Sequence, residues 1–198
     1  MASGTDDQRI TSYAQTLKTF GQPVFLRWCR DMNLAGSHAE VDGPSGIDSA
    51  WVHIWSRFHQ VGVTNVSFVW CPAETGADPT PYYPGDAYVG WAGIDGKDRS
   101  GTTAFADIFS AFYQQWAGHG KPMMVAETGT AAPGQATYLE RAASEMPDLA
   151  AFKAAVYFDA TGPAANWQPA GADSPPSVRW PGIRTSTDSE GGALPDRL

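Results

Sequence analysis

The sequence predicts an α/β protein, a partial (β/α)8 TIM barrel whose parallel sheet is covered by helices. Two observations predict it. Short apolar runs recur along the chain, and stretches with apolar residues at helical spacing separate them. The runs are apolar throughout rather than alternating, as expected of parallel strands buried on both faces.

The elements follow in order. Segment 6–19 reads as a helix leading into the first strand. Val24-Phe25-Leu26-Arg27-Trp28-Cys29 is that strand, entered from Gly21-Gln22-Pro23. A helix follows with Asp48 as its expected cap, Trp51, Ile54, Trp55 and Phe58 on one face, and Gly62 as its stop. Asn65 to Trp70 is the second strand, and Tyr88 to Ile94 reads as the third after a loop rich in Pro and Gly. Phe105, Ile108, Phe109, Phe112 and Trp116 mark the stripe of the next helix. Met123 to Ala126 is the fourth strand and runs into Glu127-Thr128-Gly129, a shorter helix covers about 136–146, and Ala154 to Phe158 is the last strand. A closed barrel has eight strands and takes about 250 residues, so this 198-residue chain is three strands short. The expected organisation is one truncated barrel domain over 1–160 and a loose tail over 161–198, where Pro, Gly, Ser and Asp accumulate without periodicity.

Composition narrows the function classes. Apolar residues make up 42% and aromatic residues 12%, enough for a real core. A net charge of −8 argues against nucleic acid and anionic membranes, which select lysine- and arginine-rich faces. No apolar run reaches the roughly 18–20 residues needed to span a bilayer. The N-terminus, from Met1 to Asp7, has no basic start and no apolar stretch, so it does not read as a secretory signal. Cys29 and Cys71 are too few for a disulfide framework and read as two buried thiols, with pairing across neighbouring strands as the alternative. No phosphate-cradling glycine motif and no Gly-x-Ser-x-Gly nucleophile elbow occurs. No cluster has metal-ligand spacing either, so neither metal nor cofactor is expected.

Reactive groups of parallel α/β folds gather where strands end. Asp31 follows the first strand and Glu127 follows the fourth. Trp70, Tyr82, Tyr83, Trp91 and Phe158 are aromatic residues near strand ends. Sugar rings present flat C–H faces to aromatic rings, and a carboxyl pair suits glycosidic bond cleavage. The plainer readings are a helix cap for each carboxylate and packing for each aromatic. His53 and His59 read as helix-surface or packing residues. His119 sits near a helix end, where its charge suits the dipole. His38 lies in a loop close in sequence to Asp31 and is a lesser candidate for substrate contact.

At these residues the chain resembles glycoside hydrolase family 26, the family of endo-β-mannanases and related β-glycanases. Phe25-Leu26-Arg27-Trp28-Cys29-Arg30-Asp31-Met32-Asn33 is similar to the family's fourth-strand segment, whose usual form ends His-Glu-Met-Asn. Gly62 to Trp70, Tyr83 to Asp95 and Lys121 to Gly129 resemble its fifth, sixth and seventh strands. The resemblance runs from about residue 8 to 160 and implies that the five strands are about strands four to eight of the barrel. It implies a polysaccharide or oligosaccharide substrate, most of all β-1,4-mannan, and a retaining double displacement. Glu127 matches the nucleophile and Asp31 the acid/base, while Arg27, Asn33, Trp70, Tyr83 and Trp91 are the expected substrate-binding residues. Three positions depart from the pattern: Asp31 for Glu, Arg30 for His, and Gly90 for an acidic residue. The shorter Asp31 pulls its carboxyl back by roughly 1.5 Å, and a misplacement of about 1 Å costs on the order of 10²-fold in rate. A carbohydrate-binding pseudoenzyme is therefore the second reading. An incomplete gene product, with open sheet edges, is compatible with either. The family is mostly secreted, so location stays open.

Overall fold

The computed structural model describes residues 4–37, 43–131 and 133–158. His38 and the expected tail over 161–198 lie outside them.

Five strands form one parallel sheet in the order β1-β2-β3-β4-β5, each paired with the next in sequence. They are β1 (Val24–Leu26), β2 (Val66–Trp70), β3 (Trp91–Asp95), β4 (Met123–Thr128) and β5 (Phe152–Tyr157). A doubly wound sheet would reverse its order part-way. An unbroken order, with every strand parallel, is the winding of a barrel and gives a curled half-barrel here. The helices are α1 (Asp7–Phe20), α2 (Gly43–Val61), α3 (Phe105–Trp116) and α4 (Gln135–Glu145). None of the helices among the described residues is long and apolar enough to cross a membrane.

Strand alternation divides the sheet's residues between two faces. Phe68, Trp70, Ala92, Ile94, Met123 and Val125 join the main core with the helices. Val69, Cys71, Met124 and Ala126 pack on the other face with Trp91 and Ala154. The helices supply matching stripes. In α3, Phe105, Phe109, Phe112 and Trp116 recur at three or four residues, and all four are buried. Each such ring contributes roughly 1.5–3 kcal/mol by leaving water. Phe25, at 52% exposed, and Val156, at 51%, are large apolar side chains left open on the edge strands.

Several boundaries differ from the sequence reading. The helix after β1 starts at Gly43 and not at a cap on Asp48, because Pro44 suits a first helical turn; Asp48 lies inside α2. The third strand starts at Trp91. Residues 86–88 form a turn instead, and a Cβ on Gly90 would meet the Phe68 carbonyl at 3.3 Å. The first strand ends at Leu26, and turns replace its expected Trp28 and Cys29. Among the described residues β1 is a sheet edge with a partner on one side, and both Cys29 and Asp31 adopt φ of 58°. The Asp31 amide nonetheless donates to the Cys71 carbonyl at 2.9 Å, which ties this turn to the end of β2. Both cysteines are free, buried thiols, so the alternative of a disulfide does not hold.

Candidate active site

The site forms where β1, β3 and β4 end. Regular alternation from Met124 and Ala126 would send Glu127 to the helix side of β4. It does not, because the register shifts: Ile94 pairs with Val125, but Asp95 pairs with Glu127. The extra residue is Ala126. A bulge of this kind re-aims the side chains beyond it, and Glu127 turns to the same side as Asp95.

Arg27, just past β1, organises the two carboxylates. Its Nη2 donates to Asp95 Oδ2, and both terminal nitrogens lie 3.3 Å from Glu127 Oε1. Its Nη1 also donates to the Ala126 carbonyl at 3.2 Å, which pins the bulge. Lys97, two residues beyond β3, donates from Nζ to Glu127 Oε2 at 2.9 Å. Arg30 Nη1 lies 2.7 Å from Asp31 Oδ2 and 4.0 Å from Glu127 Oε1. A single nitrogen therefore reaches both carboxylates, and Asp31 and Glu127 face one space.

The electrostatics divide the acids. Burial alone would lift Glu127, but the hydrogen bond and charge of Lys97, with Arg27 and Arg30, outweigh it and hold this carboxyl below its usual range. Burial dominates at Asp95. Although Arg27 opposes it, desolvation assisted by the charges of Glu127 and Asp31 pushes Asp95 up to about 7. Cys71 donates to Asp95 Oδ1 at 3.3 Å, and burial raises this thiol well above its ordinary value.

The residues expected to bind substrate separate into two groups. Arg27 belongs to the carboxylate cluster. Asn33 is buried and already engaged: its amide donates to the carbonyls of Ala73 and Ala77 and accepts from the Ala73 amide. Trp70 has no exposed surface, faces Phe112 and Trp116 on the helix side, and donates to the Tyr82 carbonyl. Tyr83 packs on Trp70 and Trp116 and donates to Asp86 at 2.6 Å. Trp91 opens β3, four residues before Asp95, and meets Phe25 edge-on at 4.9 Å. At about 3.3 Å per residue it sits some 13 Å from the end of the strand where the carboxylates gather.

Three histidines among the described residues have partners outside the carboxylate cluster. His53 contacts Asp7 at 2.6 Å, His59 stacks on Trp55, and His119 lies 3.1 Å from Asp86. Two site residues were not singled out in the sequence. Asp95 carried a signal, since it closes the segment resembling the family's sixth strand. Lys97 carried none, because no motif marks it.

No protein-family model matches the chain. Among curated proteins, endoglucanase H of Acetivibrio thermocellus is 32% identical over 150 residues, which are 67% of this chain and 17% of that protein. Beta-1,3-xylanase TXYA of a Vibrio species is 29% identical over 148 residues, 65% of this chain and 28% of that enzyme. Among solved structures, a GH26 beta-mannanase from Bacteroides ovatus matches with a TM-score of 0.63 at 16% identity, over 92% of this chain and 58% of that one. The chain carries the glycoside hydrolase family 26 fold. A mannanase from Bacillus subtilis agrees, with a TM-score of 0.59 at 19% identity, over 82% of this chain and 50% of the other. The half-barrel spans between 17% and 28% of the length of the curated relatives it matches.

Proposed function

We propose that the half-barrel carries the catalytic end of a β-glycan hydrolase that retains configuration, with β-1,4-mannan as the leading substrate. One observation supports this most: Glu127 is held ionised at a strand end, opposite a second carboxylate across a shared cation. Glu127 attacks the anomeric carbon, and the glycosidic bond breaks as Asp31 protonates the departing oxygen. Asp31 then takes a proton from water, whose oxygen displaces Glu127. Arg27 orients Glu127 and Asp95 throughout. Glu127→Ala removes the nucleophile and is expected to abolish release of reducing sugar from β-mannan while the fold persists. Equal activity in that variant sinks the mechanism. Because named relatives are an endoglucanase and β-1,3-xylanases, the assay runs mixed-linkage β-glucan and β-1,3-xylan in parallel.

The second reading is a carbohydrate-binding pseudoenzyme, favoured by the 2.7 Å contact of Arg30 with Asp31. The guanidinium already occupies Asp31 Oδ2, an oxygen from which a proton would have to pass to the leaving group. Asp31→Glu separates the two. A large gain in turnover marks a weakened enzyme; oligosaccharide binding with no gain marks a binding module.

A further inference from the structure

This inference deepens the proposed role of Glu127 and rests on that reading. Lys97 leaves β3 through Gly96, a position so tight that a Cβ there would meet Phe109 at 2.6 Å and Ile108 at 2.7 Å. The close approach fixes where the lysine stem begins. Its ammonium ends 2.9 Å from Glu127 Oε2 and 3.8 Å from the centre of the Phe158 ring. A ring face attracts a cation, so Phe158, just beyond β5, gives the Lys97 ammonium a second contact besides the carboxylate. Arg27 occupies Oε1. Each oxygen of Glu127 thus has its own cation, on its own strand end.

We propose that Lys97 is a positioning residue for the nucleophile, anchoring its second oxygen while the Phe158 ring holds the ammonium, and that it acts chiefly on the second half of the reaction. In that half, the bond between the sugar's anomeric carbon and the Glu127 oxygen breaks and its electron pair returns to the carboxylate. The water that replaces it loses a proton to Asp31. A cation held at Oε2 stabilises the returning charge, so Glu127 leaves more readily. Attack in the first half gains less, because a charge-stabilised carboxylate is the weaker nucleophile.

The test reads the carboxylate directly and needs no turnover. Glutamate labelled with 13C at the side-chain carboxyl is incorporated, and the Glu127 signal is assigned by its loss in Glu127→Gln. It is followed from pH 2 to 8 in the native chain and in Lys97→Met, Lys97→Gln and Lys97→Arg. An opposite charge within hydrogen-bond distance shifts a carboxyl by about 1–3 units, so Lys97→Met is expected to raise the Glu127 midpoint by about one unit or more. Lys97→Arg restores most of the shift. Lys97→Gln keeps a donor without charge and stays close to the methionine variant. A Glu127 titration unchanged in both neutral variants overturns the proposal. Hydrolysis surviving in Glu127→Ala would instead overturn the nucleophile assignment and leave this titration as it stands. Where turnover is measurable, an activated aryl glycoside is expected to show a burst in Lys97→Met that the native chain lacks, since release of the sugar becomes the slow step.

Discussion

Asp95 and Glu127 lie opposite each other in register at the ends of β3 and β4 and reach the same guanidinium, that of Arg27. One cation between a buried acid and a part-buried one cannot satisfy both equally. Glu127 has Lys97 in addition and stays ionised; Asp95 has no such second cation among its stated partners and is lifted to about 7.

That asymmetry gives the chain a pH-dependent stability. An unfolded aspartate releases its proton near 3.8, whereas folded Asp95 holds it to about 7. The folded state therefore binds more protons between these values. The resulting stabilisation is complete below about 4 and is lost as pH rises through 7. Urea unfolding is expected to show the native chain roughly 2–3 kcal/mol less stable at pH 8 than at pH 5, at about 1.4 kcal/mol per unit. Asp95→Asn flattens this dependence. An equal slope in the variant would assign the effect elsewhere. Glu127 does not confuse the window, since its depressed value acts with the opposite sign and only in more acid solution.

Asn33 is expected to behave as a structural residue. Asn33→Ala leaves two carbonyls and one amide of the 73–77 loop without their partner. Unsatisfied buried groups cost about 1–3 kcal/mol each, and the loop's access to water offsets part of that. A loss of roughly 2–3 kcal/mol corresponds to a Tm lower by about 5–10 °C at this chain length. Calorimetry checks it, and an unchanged Tm would return Asn33 to the list of available sugar ligands.

Trp70, Tyr83 and Trp91 are expected to divide stability from binding. Trp70→Ala opens a cavity in the helix-side core and costs about 3–5 kcal/mol. Tyr83→Phe removes a hydroxyl bonded to Asp86, and Trp91→Ala removes a ring at the far end of β3. Neither is expected to change oligosaccharide affinity by more than twofold in calorimetric titration. A tenfold loss in either would place sugar against that ring.

The thiols supply an independent check on packing. Cys71 is fully buried and held protonated by desolvation, and Cys29 is also buried. Only a thiolate reacts readily with an aromatic disulfide. Both cysteines are expected to react fully in denaturant and at least 10²-fold more slowly in the folded chain, the order of protection that local opening sets. Fast reaction of either thiol without denaturant contradicts the fold around β2.

Much of this architecture was legible in the residues. Apolar runs at Val66 to Trp70 and Met123 to Val125 can satisfy both faces only in a parallel sheet, and the structure has that sheet. The placement of Glu127 at a strand end was equally readable. Its direction was not, because alternation counted through Ala126 points it outward and only pairing with β3 reveals the bulge. The aromatic residues were read by proximity to strand ends, which cannot distinguish the helix side from the inner side. Trp70 follows Val69 by one residue, and that single step puts it in the other layer. Lys97 was invisible for a different reason: its importance comes from β4 and from Phe158, 30 and 61 residues away.

Gly76 stands against the Asn33 amide so closely that an added Cβ would lie 2.2 Å from Nδ2. The two positions, 43 residues apart, therefore drift through sequence space as one unit. A side chain at 76 is tolerated only after Asn33 has shrunk, and a shrunken Asn33 forfeits the loop it organises. Strong epistasis should link them in a library that randomises both. Laboratory evolution of this rim would need paired changes, with every single-step route passing through a less stable intermediate.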